Sequence, residues 1–489
     1  MKLTHYILLA ASAGLLLAGC AVGPDYKRPE ATATMPGAYA GATNEWKIAE
    51  PQAHLPKGNW WEVFGDPDLS RLETDAAAAN QQLKGAVALF DEARALRNSA
   101  KSGLFPHIGI SGSATRQGDS LNRPLNGRAA GANQTSTYNT FTVPLDLSYE
   151  VDLWGRVRRS VESARSQEQA SADDLEGVRL SIQAEVATDY FTLRALDAES
   201  ALLRSDIEVF RKSLELTQNR RTGGIASDLD VAQAETVLKT AQAQLPSTIL
   251  QRAQFEHALA VLTGQAAPTF AIAERTLDVP PPVIPSGLPS ELLERRPDIS
   301  AAERRMAAAN ASIGVAKAAF FPTIQFNGLG GFESLNAGTV FNWQSRFWSL
   351  GPSLTMPLFD AGQNGANLRF ARAAYDAAVA NYRGSVLAAF AEVEDNLAAQ
   401  NLLSRQYEAE TAALQAARKQ LEIADNRYRA GLVTYLEVAT AQNSALDVER
   451  TTVQLRGQQL VAAVALVKSI GGGWQNTVVA RQSSHPGSP

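Results

Sequence analysis

Two short stretches, Arg220–Glu235 (RRTGGIASDLDVAQAE) and Arg427–Gln442 (RYRAGLVTYLEVATAQ), decide how the whole chain is interpreted. An arginine, a glycine, a leucine, a valine and two alanines recur in both stretches, each 207 positions from its counterpart. In both stretches a glycine follows a helical segment and stands three residues before a serine or threonine, a pattern that marks the end of one helix and the start of another. The two stretches therefore predict two helical hairpins in a duplicated half-chain.

The repeat extends well beyond these hairpins. The same offset of 207 relates Gly155 to Gly362, whereas further upstream Phe105-Pro106 and Phe321-Pro322 are 216 positions apart. The two offsets differ by nine residues, and the change falls between the Phe-Pro elements and the Gly155/Gly362 pair. The first half therefore carries the longer loop at this point.

Each half also contains segments in which apolar and polar residues alternate. Alternation with a period of two gives a strand one apolar and one polar face, as in a membrane β-barrel or in a half-buried soluble sheet. Four strands are too few to close a bacterial barrel, so a location in the membrane would require several copies of the chain. The predicted strands cover about 107–117, 140–153, 322–332 and 347–359.

The rest of each half is predicted to be helical. Proline is absent from the two long segments, which are rich in alanine and have apolar residues at steps of three and four, as in packed, coiled-coil-like helices. Shorter helices precede the Phe-Pro elements, and a return helix follows each turn, with Ser227 and Thr434 as N-caps. The predicted helices are Ala76–Leu104, Arg156–Arg221, Asp228–Thr263, Pro297–Phe320, Gln363–Arg429 and Tyr435–Ile470.

The single cysteine follows a segment typical of a secretory signal. Residues 1–20 read MKLTHYILLAASAGLLLAGC, with a charged start and an apolar run that is too short to span a bilayer. Leu17-Ala18-Gly19-Cys20 resembles a bacterial lipobox, which predicts cleavage after residue 19 and lipidation of Cys20. The alternative is an unmodified cysteine in an unrelated signal sequence.

Composition excludes several classes of function. The chain has 45 Lys and Arg against 50 Asp and Glu, with no basic stretch that could neutralise nucleic-acid phosphates. One cysteine and five scattered histidines offer no disulfide or clustered metal ligands. Nucleophile-elbow, P-loop and zinc-protease motifs are absent from the sequence. We therefore expect neither catalytic residues nor a cofactor or a metal, and no nucleic-acid partner.

Four motifs together resemble the outer membrane factor family. They are Cys20–Pro29 (CAVGPDYKRP), Leu293–Ile299 (LERRPDI), Ile313–Ala316 (IGVA) and Gly471–Trp474 (GGGW), and they occur in the order expected for that family. More closely, the chain is similar to the lipoprotein branch (TolC- and OprM-like, NodT type) that serves resistance-nodulation-division efflux pumps. The resemblance implies a mixed α and transmembrane β fold. A homotrimer would form a 12-strand β-barrel, continued by an α-helical barrel in the periplasm.

The resemblance also implies a division of the chain and a passive function. The signal peptide would be 1–19, a lipidated extended segment 20–65, the two repeats 66–270 and 291–474, a proline-rich linker 271–290, and a disordered tail 475–489. The protein would lie in the outer membrane, in contact with its lipid, and export small molecules delivered by an inner-membrane transporter and a periplasmic adaptor. Protein secretion, metal-ion efflux and a pore-less helical scaffold are the alternatives.

The resemblance places a gate at the two helical turns. Tyr428 and Arg429 match the Tyr-Arg pair that would bind carboxylates or backbone of adjacent helices in a closed state. Leu436, with Leu229 as its counterpart, matches a leucine ring that would close the pore by dewetting. Tyr428 and Arg429 could instead only pack and cap the helix end.

One position departs from the family pattern. The acidic residue often found four positions after the leucine is replaced by Thr440, which puts a cation-selecting ring in doubt. Asp228, Asp230 and Glu437 could supply an acidic tip instead, although acidic residues at helix starts are also favoured by the helix dipole alone. The turns themselves would depend on two glycines, Gly224 and Gly431.

Overall fold

The computed structural model describes residues 21–30, 58–118, 137–276, 280–282 and 295–472. Cys20, the signal segment, Trp474 and the polar tail lie outside the described residues, as does most of the proline-rich linker. Four short 3-10 helices, at Trp60–Phe64, Ala267–Thr269, Ala337–Thr339 and Trp343–Ser345, accompany the main elements. In chain order these are α1 (Pro67–Ala79), α2 (Gln81–Ser102), β1 (His107–Ile110), β2 (Ser113–Gly118), β3 (Thr137–Val151), α3 (Arg156–Thr222), α4 (Asp228–Leu262), α5 (Pro297–Ala318), β4 (Thr323–Ser334), β5 (Arg346–Thr355), α6 (Gln363–Arg429) and α7 (Tyr435–Ser469).

The strands form one antiparallel sheet in which β3 and β4 are central and β1, β2 and β5 lie at the edges. Our prediction of one strand over 107–117 was wrong, because the structure has β1 and β2 there. Both pair with β3 in one continuous register, and the break falls where Ser111 faces Pro144. Proline has no N–H to donate, so the ladder is interrupted at that pair.

The other strand ends shift for similar local reasons. The strand predicted at 347–359 ends at Thr355, because its partner β4 begins only at Thr323, directly after Pro322. The strand predicted at 140–153 occupies Thr137–Val151 and the one predicted at 322–332 occupies Thr323–Ser334. The two strand pairs, β1 with β3 and β4 with β5, nevertheless have the same register once the offsets of 216 and 207 are applied. The duplication therefore holds residue by residue in the sheet.

The two faces of the sheet differ in polarity. From Phe141 to Val151 the odd-numbered residues of β3 are apolar, and their cross-strand partners include Ile108, Phe332 and, through β4, Leu350. Even-numbered positions such as Asp146 and Ser148 lie on the opposite face, as alternation requires. The apolar face is largely exposed in the single chain: relative exposures are 60% for Ile108, 74% for Ile110, 51% for Leu145, 79% for Trp348, 62% for Leu350 and 66% for Leu354.

The helices agree closely with the predicted ones, with one exception. The helix predicted over Ala76–Leu104 is divided at Asn80 into α1 and α2. The Asn80 amide donates to the Leu262 carbonyl at 2.9 Å, while its Oδ1 accepts the Leu83 N–H at 3.0 Å. An asparagine that makes both bonds caps a new helix rather than continuing the old one. No described helix has the length and apolarity to cross a membrane.

The chain divides into two compact units. The first comprises the sheet, the described residues up to Pro29, and the helical parts within 91–170 and 302–381. The second comprises the remaining helical parts and has a core built around Trp60, Phe64, Tyr190, Phe191 and Leu466. Ion pairs are also buried in this second unit, an unusual feature that requires good hydrogen bonding.

Asp197 is the centre of that buried charge. Its carboxylate accepts from Arg194 Nη1 at 2.8 Å, from Arg252 Nε at 2.6 Å and from the Arg275 backbone N–H at 3.2 Å. The two guanidiniums also donate to the carbonyls of Ala273 and Ile272. The cluster therefore fixes the segment after α4 to helices α3 and α4.

Glu73 presents the opposite situation. Its side chain is 1% exposed, within helix α1, and neither carboxylate oxygen has a hydrogen-bond partner. Burial raises the pKa of this carboxyl to about 9. The residue is therefore protonated at neutral pH.

A pair of glycines shows how closely the repeats correspond in the second unit. Gly264 follows α4 with φ +68°, and Gly471 follows α7 with φ +88°. A Cβ on Gly264 would lie 2.7 Å from the Ala79 carbonyl oxygen, and one on Gly471 would lie 2.8 Å from that of Arg295. Each return helix thus ends against the backbone that precedes the short helix of its own half, an approach that only glycine permits.

We expect the substitution Gly471→Ala to destabilise the protein by about 1–3 kcal/mol, because alanine is strained at this φ and its Cβ would clash with backbone. Thermal unfolding followed by circular dichroism measures the effect. Gly384→Ala is the matched control, since a Cβ at that helical glycine would meet no atom within 4 Å. A control change as large as that of Gly471→Ala would contradict the steric explanation.

Candidate gate at the paired helical turns

The two predicted turns have the same backbone design. Gly224 and Gly431 adopt φ +77° and +74°, as left-handed residues that end helices α3 and α6. In the first turn the Ile225 N–H donates to the Arg220 carbonyl at 2.8 Å, and in the second the Leu432 N–H donates to the Arg427 carbonyl at 2.9 Å. These six-residue closures satisfy carbonyls that would otherwise lack partners at the helix ends. The duplicated sequence thus builds a duplicated turn.

Arg220 and Asp230 connect the first turn to the second. Arg220 Nη1 donates to the Arg429 carbonyl at 3.0 Å, at the end of α6, and its guanidinium lies 4.8 Å from the centre of the Tyr428 ring. Asp230 Oδ1 accepts the Tyr435 N–H at 3.1 Å, at the start of α7. We call this pair of contacts the latch. It holds both ends of the second turn from one hairpin.

Asp230 is well suited to remain charged in this role. Partial burial raises the pKa of its carboxyl, but hydrogen bonds from Ser227 and from the Tyr435 backbone outweigh that effect and lower the pKa below its ordinary value. Ser227 and Asp230 also form a capping box, in which each side chain bonds the other residue's backbone N–H. The N-cap predicted at Ser227 is thus present, whereas Thr434 makes no side-chain capping bond.

Tyr428 and Arg429 occupy different environments. The Tyr428 side chain is only 4% exposed, packs edge to face against Tyr435 at 5.4 Å, and donates to Thr217 Oγ1 on α3 at 3.4 Å. Arg429 is exposed and pairs with Asp425 of its own helix at 2.9 Å. Within one chain, the Tyr428 side chain therefore bonds a neighbouring helix and the Arg429 side chain does not.

The remaining candidate residues lie on exposed positions around the turns. Leu229 and Leu436 are 66% and 56% exposed, so both apolar side chains are free to meet other surfaces. Asp228 pairs with Arg221, and Glu437 pairs with Arg427 at 3.3 Å. The hydrogen bond from Arg221 lowers the pKa of Asp228. Asp228 and Glu437 are thus each partnered within their own turn.

Sequence reasoning missed two residues of this site. Arg220 was recognised only as half of a repeated pair, and its counterpart Arg427 bonds Glu437 instead of the opposite turn. Tyr435 is fully buried and its hydroxyl bonds Gln442 at 3.0 Å. The pairing of residues more than 200 positions apart carries no signal in a single sequence. Across the described ranges, no group of three or more His, Cys, Asp or Glu side chains is placed to hold a metal ion.

Comparison with known proteins gives consistent matches over almost the whole chain. Residues 72–265 and 288–472 match the family described as outer membrane efflux protein. The toluene efflux pump outer membrane protein TtgF of Pseudomonas putida is 34% identical over 485 residues, covering 97% of this chain and 98% of that protein. The antibiotic efflux pump outer membrane protein ArpC, also of Pseudomonas putida, is 32% identical over 474 residues, 96% of each chain. A solved structure of the outer-membrane channel OprN has a TM-score of 0.82 at 31% identity, covering 93% of this chain and 100% of that one.

Proposed function

This chain belongs to the outer membrane efflux protein family, and on that premise we propose that it is the exit duct of a tripartite efflux pump. As a member it is an outer-membrane efflux channel and not an enzyme. In the proposal three copies form one channel, and a periplasmic adaptor connects it to an inner-membrane resistance-nodulation-division transporter. Transport through the duct itself is passive.

The match of both repeats to the family carries this proposal, and the sheet supports it. An exposed apolar face opposite a polar face fits a barrel wall between lipid and an aqueous lumen. A pore-less scaffold would have no need of such a sheet. The relatives are named for the efflux of toluene or antibiotics, which favours small organic molecules over proteins or metal ions as cargo.

Drug and solvent susceptibility of a deletion strain, with and without this chain, tests the function. We expect the deletion to increase susceptibility to several small organic compounds, and expression of the chain to restore resistance. Unchanged susceptibility to every such compound would contradict the proposal.

We propose that the latch of Arg220 and Asp230 holds the gate closed. The latch is supported by its position, since it fixes the start of α7, on which Leu436 lies, and the end of α6, which carries Tyr428 and Arg429. Three copies of Leu229 and Leu436 would then form the apolar constriction. Opening would require the charge-assisted bonds to break before the second hairpin can move.

The substitution Arg220→Ala is expected to raise the open probability of the channel in planar-bilayer recordings. Losing a charged hydrogen bond is worth about 1–2 kcal/mol at a partly exposed site, which shifts a closed–open equilibrium roughly 5- to 30-fold. Arg221→Ala is the matched control, because Arg221 bonds Asp228 within its own turn. Equal effects of the two substitutions would refute the latch.

We also propose that Cys20 is lipidated and that residues after it fix the anchor near the sheet. The Val22 N–H donates to the Trp154 carbonyl at 2.9 Å, a few residues beyond the end of β3. Asp25 bonds Arg159 Nη2 at 2.7 Å, on the first turn of α3. The described residues that follow Cys20 are therefore held close to the end of β3, where a membrane surface is expected.

Lipidation of Cys20 predicts a clear labelling result. Cells that express the chain and are fed an alkyne-tagged palmitate should label the wild-type protein, whereas Cys20→Ser should lose the label completely. Labelling that persists in Cys20→Ser would show that the lipid is attached at another residue.

A further inference from the structure

The described strands contain two arginines and no lysine, and the repeat places the two arginines at equivalent positions. Arg116 of β2 pairs with Asn139 of β3, and Arg346 of β5 pairs with Phe332 of β4. The offsets of 216 and 207 convert the first cross-strand pair into the second, position by position. Each half therefore carries one arginine in the same cross-strand pair, although on opposite strands.

Both arginines lie on the apolar face of the sheet. Arg116 pairs with an odd-numbered residue of β3, and Arg346 is in one row with Phe332 and Val143. The acidic residues of the described strands are in register with even-numbered positions of β3, on the opposite face; they are Asp146, Glu150 and Glu333. Where the apolar face is charged it is therefore positive, which favours an anionic neighbour.

The arginines also mark the end of that face away from the helices. The apolar rows run along β3 from Phe141 to Val151, and α3 begins shortly afterwards at Arg156. Arg116 lies one row beyond Phe141 and Arg346 one row before it. The apolar rows span about 34 Å along the strand, and a tilt of roughly 40° gives a height of about 25 Å, the usual apolar band of a membrane barrel. The arginines thus lie near the boundary between lipid chains and headgroups.

Arg346 has an aromatic platform beside it. Its guanidinium carbon lies 3.6 Å from the centre of the Trp343 ring, and Trp343 is 71% exposed. Phe341 is 70% exposed and packs edge to face against Phe332 at 5.8 Å. Stacking holds a guanidinium by its flat face and leaves the N–H donors at its edge available. Within the described part of the chain, no carboxylate pairs with Arg346.

The loop between β4 and β5 fixes this platform. Val340 is 7% exposed, so the loop has a buried anchor. Ser345 Oγ donates to the Thr339 carbonyl at 2.8 Å, and Thr339 Oγ1 lies 2.8 Å from Ser334 Oγ. These bonds join both ends of the loop to its middle. Because Trp343 is presented on a hydrogen-bonded loop, less conformational entropy is lost when a ligand binds beside it.

We propose that Arg346, supported by Trp343, binds the phosphate group of a lipid in the outer leaflet of the outer membrane, and that Arg116 makes the equivalent contact in the other half. This inference rests on the proposed duct, whose helices lie on the periplasmic side. A guanidinium forms paired hydrogen bonds with phosphate oxygens. A lipid also covers exposed apolar residues such as Trp348 and Leu350 with its chains, a gain that free phosphate cannot provide.

Lipid-dependent stabilisation tests the site. The purified full chain in neutral detergent is titrated with diphosphoryl lipid A, with the neutral glycolipid digalactosyl diacylglycerol, or with inorganic phosphate, and the thermal unfolding temperature is measured. We expect lipid A to raise this temperature at a lower concentration than the neutral glycolipid, and inorganic phosphate to leave it unchanged. Arg346→Gln should need roughly 10-fold more lipid A for the same rise.

Two further variants make the test specific. Arg346→Lys keeps the charge but not the paired hydrogen bonds, so its lipid A titration should lie between those of the wild type and Arg346→Gln. Arg405→Gln removes the same charge from an exposed position on α6 and is the matched control, which should titrate as the wild type does.

Three results would overturn the proposal. They are equal lipid A titrations for the wild type and Arg346→Gln, an equal rise with the neutral glycolipid, and the same rise with inorganic phosphate alone. Should Arg346→Gln not fold, Trp343→Leu removes the platform and keeps the charge. It should weaken the effect of lipid A but not that of the neutral glycolipid, and an unchanged lipid A titration would contradict the site.

The outcomes also separate this site from the proposed function. A chain that restores resistance to the deletion strain but shows no preference for the phosphorylated lipid lacks the site and keeps the function. A chain that prefers lipid A but restores no resistance has the site, and the proposed duct is then wrong.

Discussion

Replacing Asp197 by asparagine should destabilise the protein by about 3–5 kcal/mol, because two guanidiniums that are buried with it would lose their shared carboxylate. The Asp197 and Arg194 side chains are each 1% exposed, so water cannot replace the missing charge. Asparagine keeps the shape of aspartate, which confines the change to charge and hydrogen bonding. Thermal unfolding of the purified protein in detergent measures the effect.

Two controls make this expectation specific. Glu274→Gln removes the carboxylate of a bidentate but exposed pair with Arg204, and solvent screening should keep its effect below about 1 kcal/mol. The second control comes from the repeat, in which the counterparts of Arg194, Asp197 and Arg252 are the uncharged residues Asn401, Ser404 and Gln459.

The triple substitution Arg194→Asn, Asp197→Ser, Arg252→Gln should therefore lower the free energy of unfolding by less than Asp197→Asn alone. Removing all three charges takes both buried guanidiniums away together with Asp197 and leaves the partly exposed Glu256 without its arginine, whereas Asp197→Asn leaves the two guanidiniums without the carboxylate that they share. A triple variant that is less stable than the single variant would show that the cluster stabilises through net attraction, and our explanation would be wrong.

Much of the architecture was predictable because it depends on patterns among residues that are close in sequence and on their repetition. The constant offset of 207 predicted two like hairpins, and the proline-free segments gave long helices whose ends agree within a few residues. Asn80 and Pro144 were missed as break points. Asn80 acts through its hydrogen bond to the Leu262 carbonyl, and Pro144 acts through the N–H that it cannot donate to the strand opposite, at Ser111. A residue's local preference does not reveal such a partner.

The gate was predictable only in part, for the same reason. The turn glycines follow from the sequence, because left-handed backbone after a helix favours glycine. The roles of Arg220 and Asp230 do not, since their bonds to Arg429 and Tyr435 span more than 200 residues. The roles of Tyr428, Arg429, Leu229 and Leu436 in closing a pore stay predictions, because a single chain does not form the opening.

Glu73 provides the second large expected effect, and its size depends on pH. Burial raises the pKa of this carboxyl to about 9 in the folded chain, against 4.5 for the ordinary group. Between these values the unfolded chain has lost the proton that the folded chain retains, so the free energy of unfolding falls as pH rises. At pH 7 the loss approaches about 3 kcal/mol, relative to the stability below pH 4.5.

The substitution Glu73→Gln should remove this penalty, because an amide has no proton to release. We expect the variant to unfold at a temperature similar to that of the wild type at about pH 4.5, and at a clearly higher temperature at about pH 8. Glu235→Gln, at an exposed position on α4, is the control and should follow the wild-type pH dependence. The measurement is the thermal unfolding temperature of the wild type and the two variants at both pH values. A wild-type protein whose stability does not fall relative to Glu73→Gln between these pH values would mean that the buried carboxyl finds a partner when it ionises.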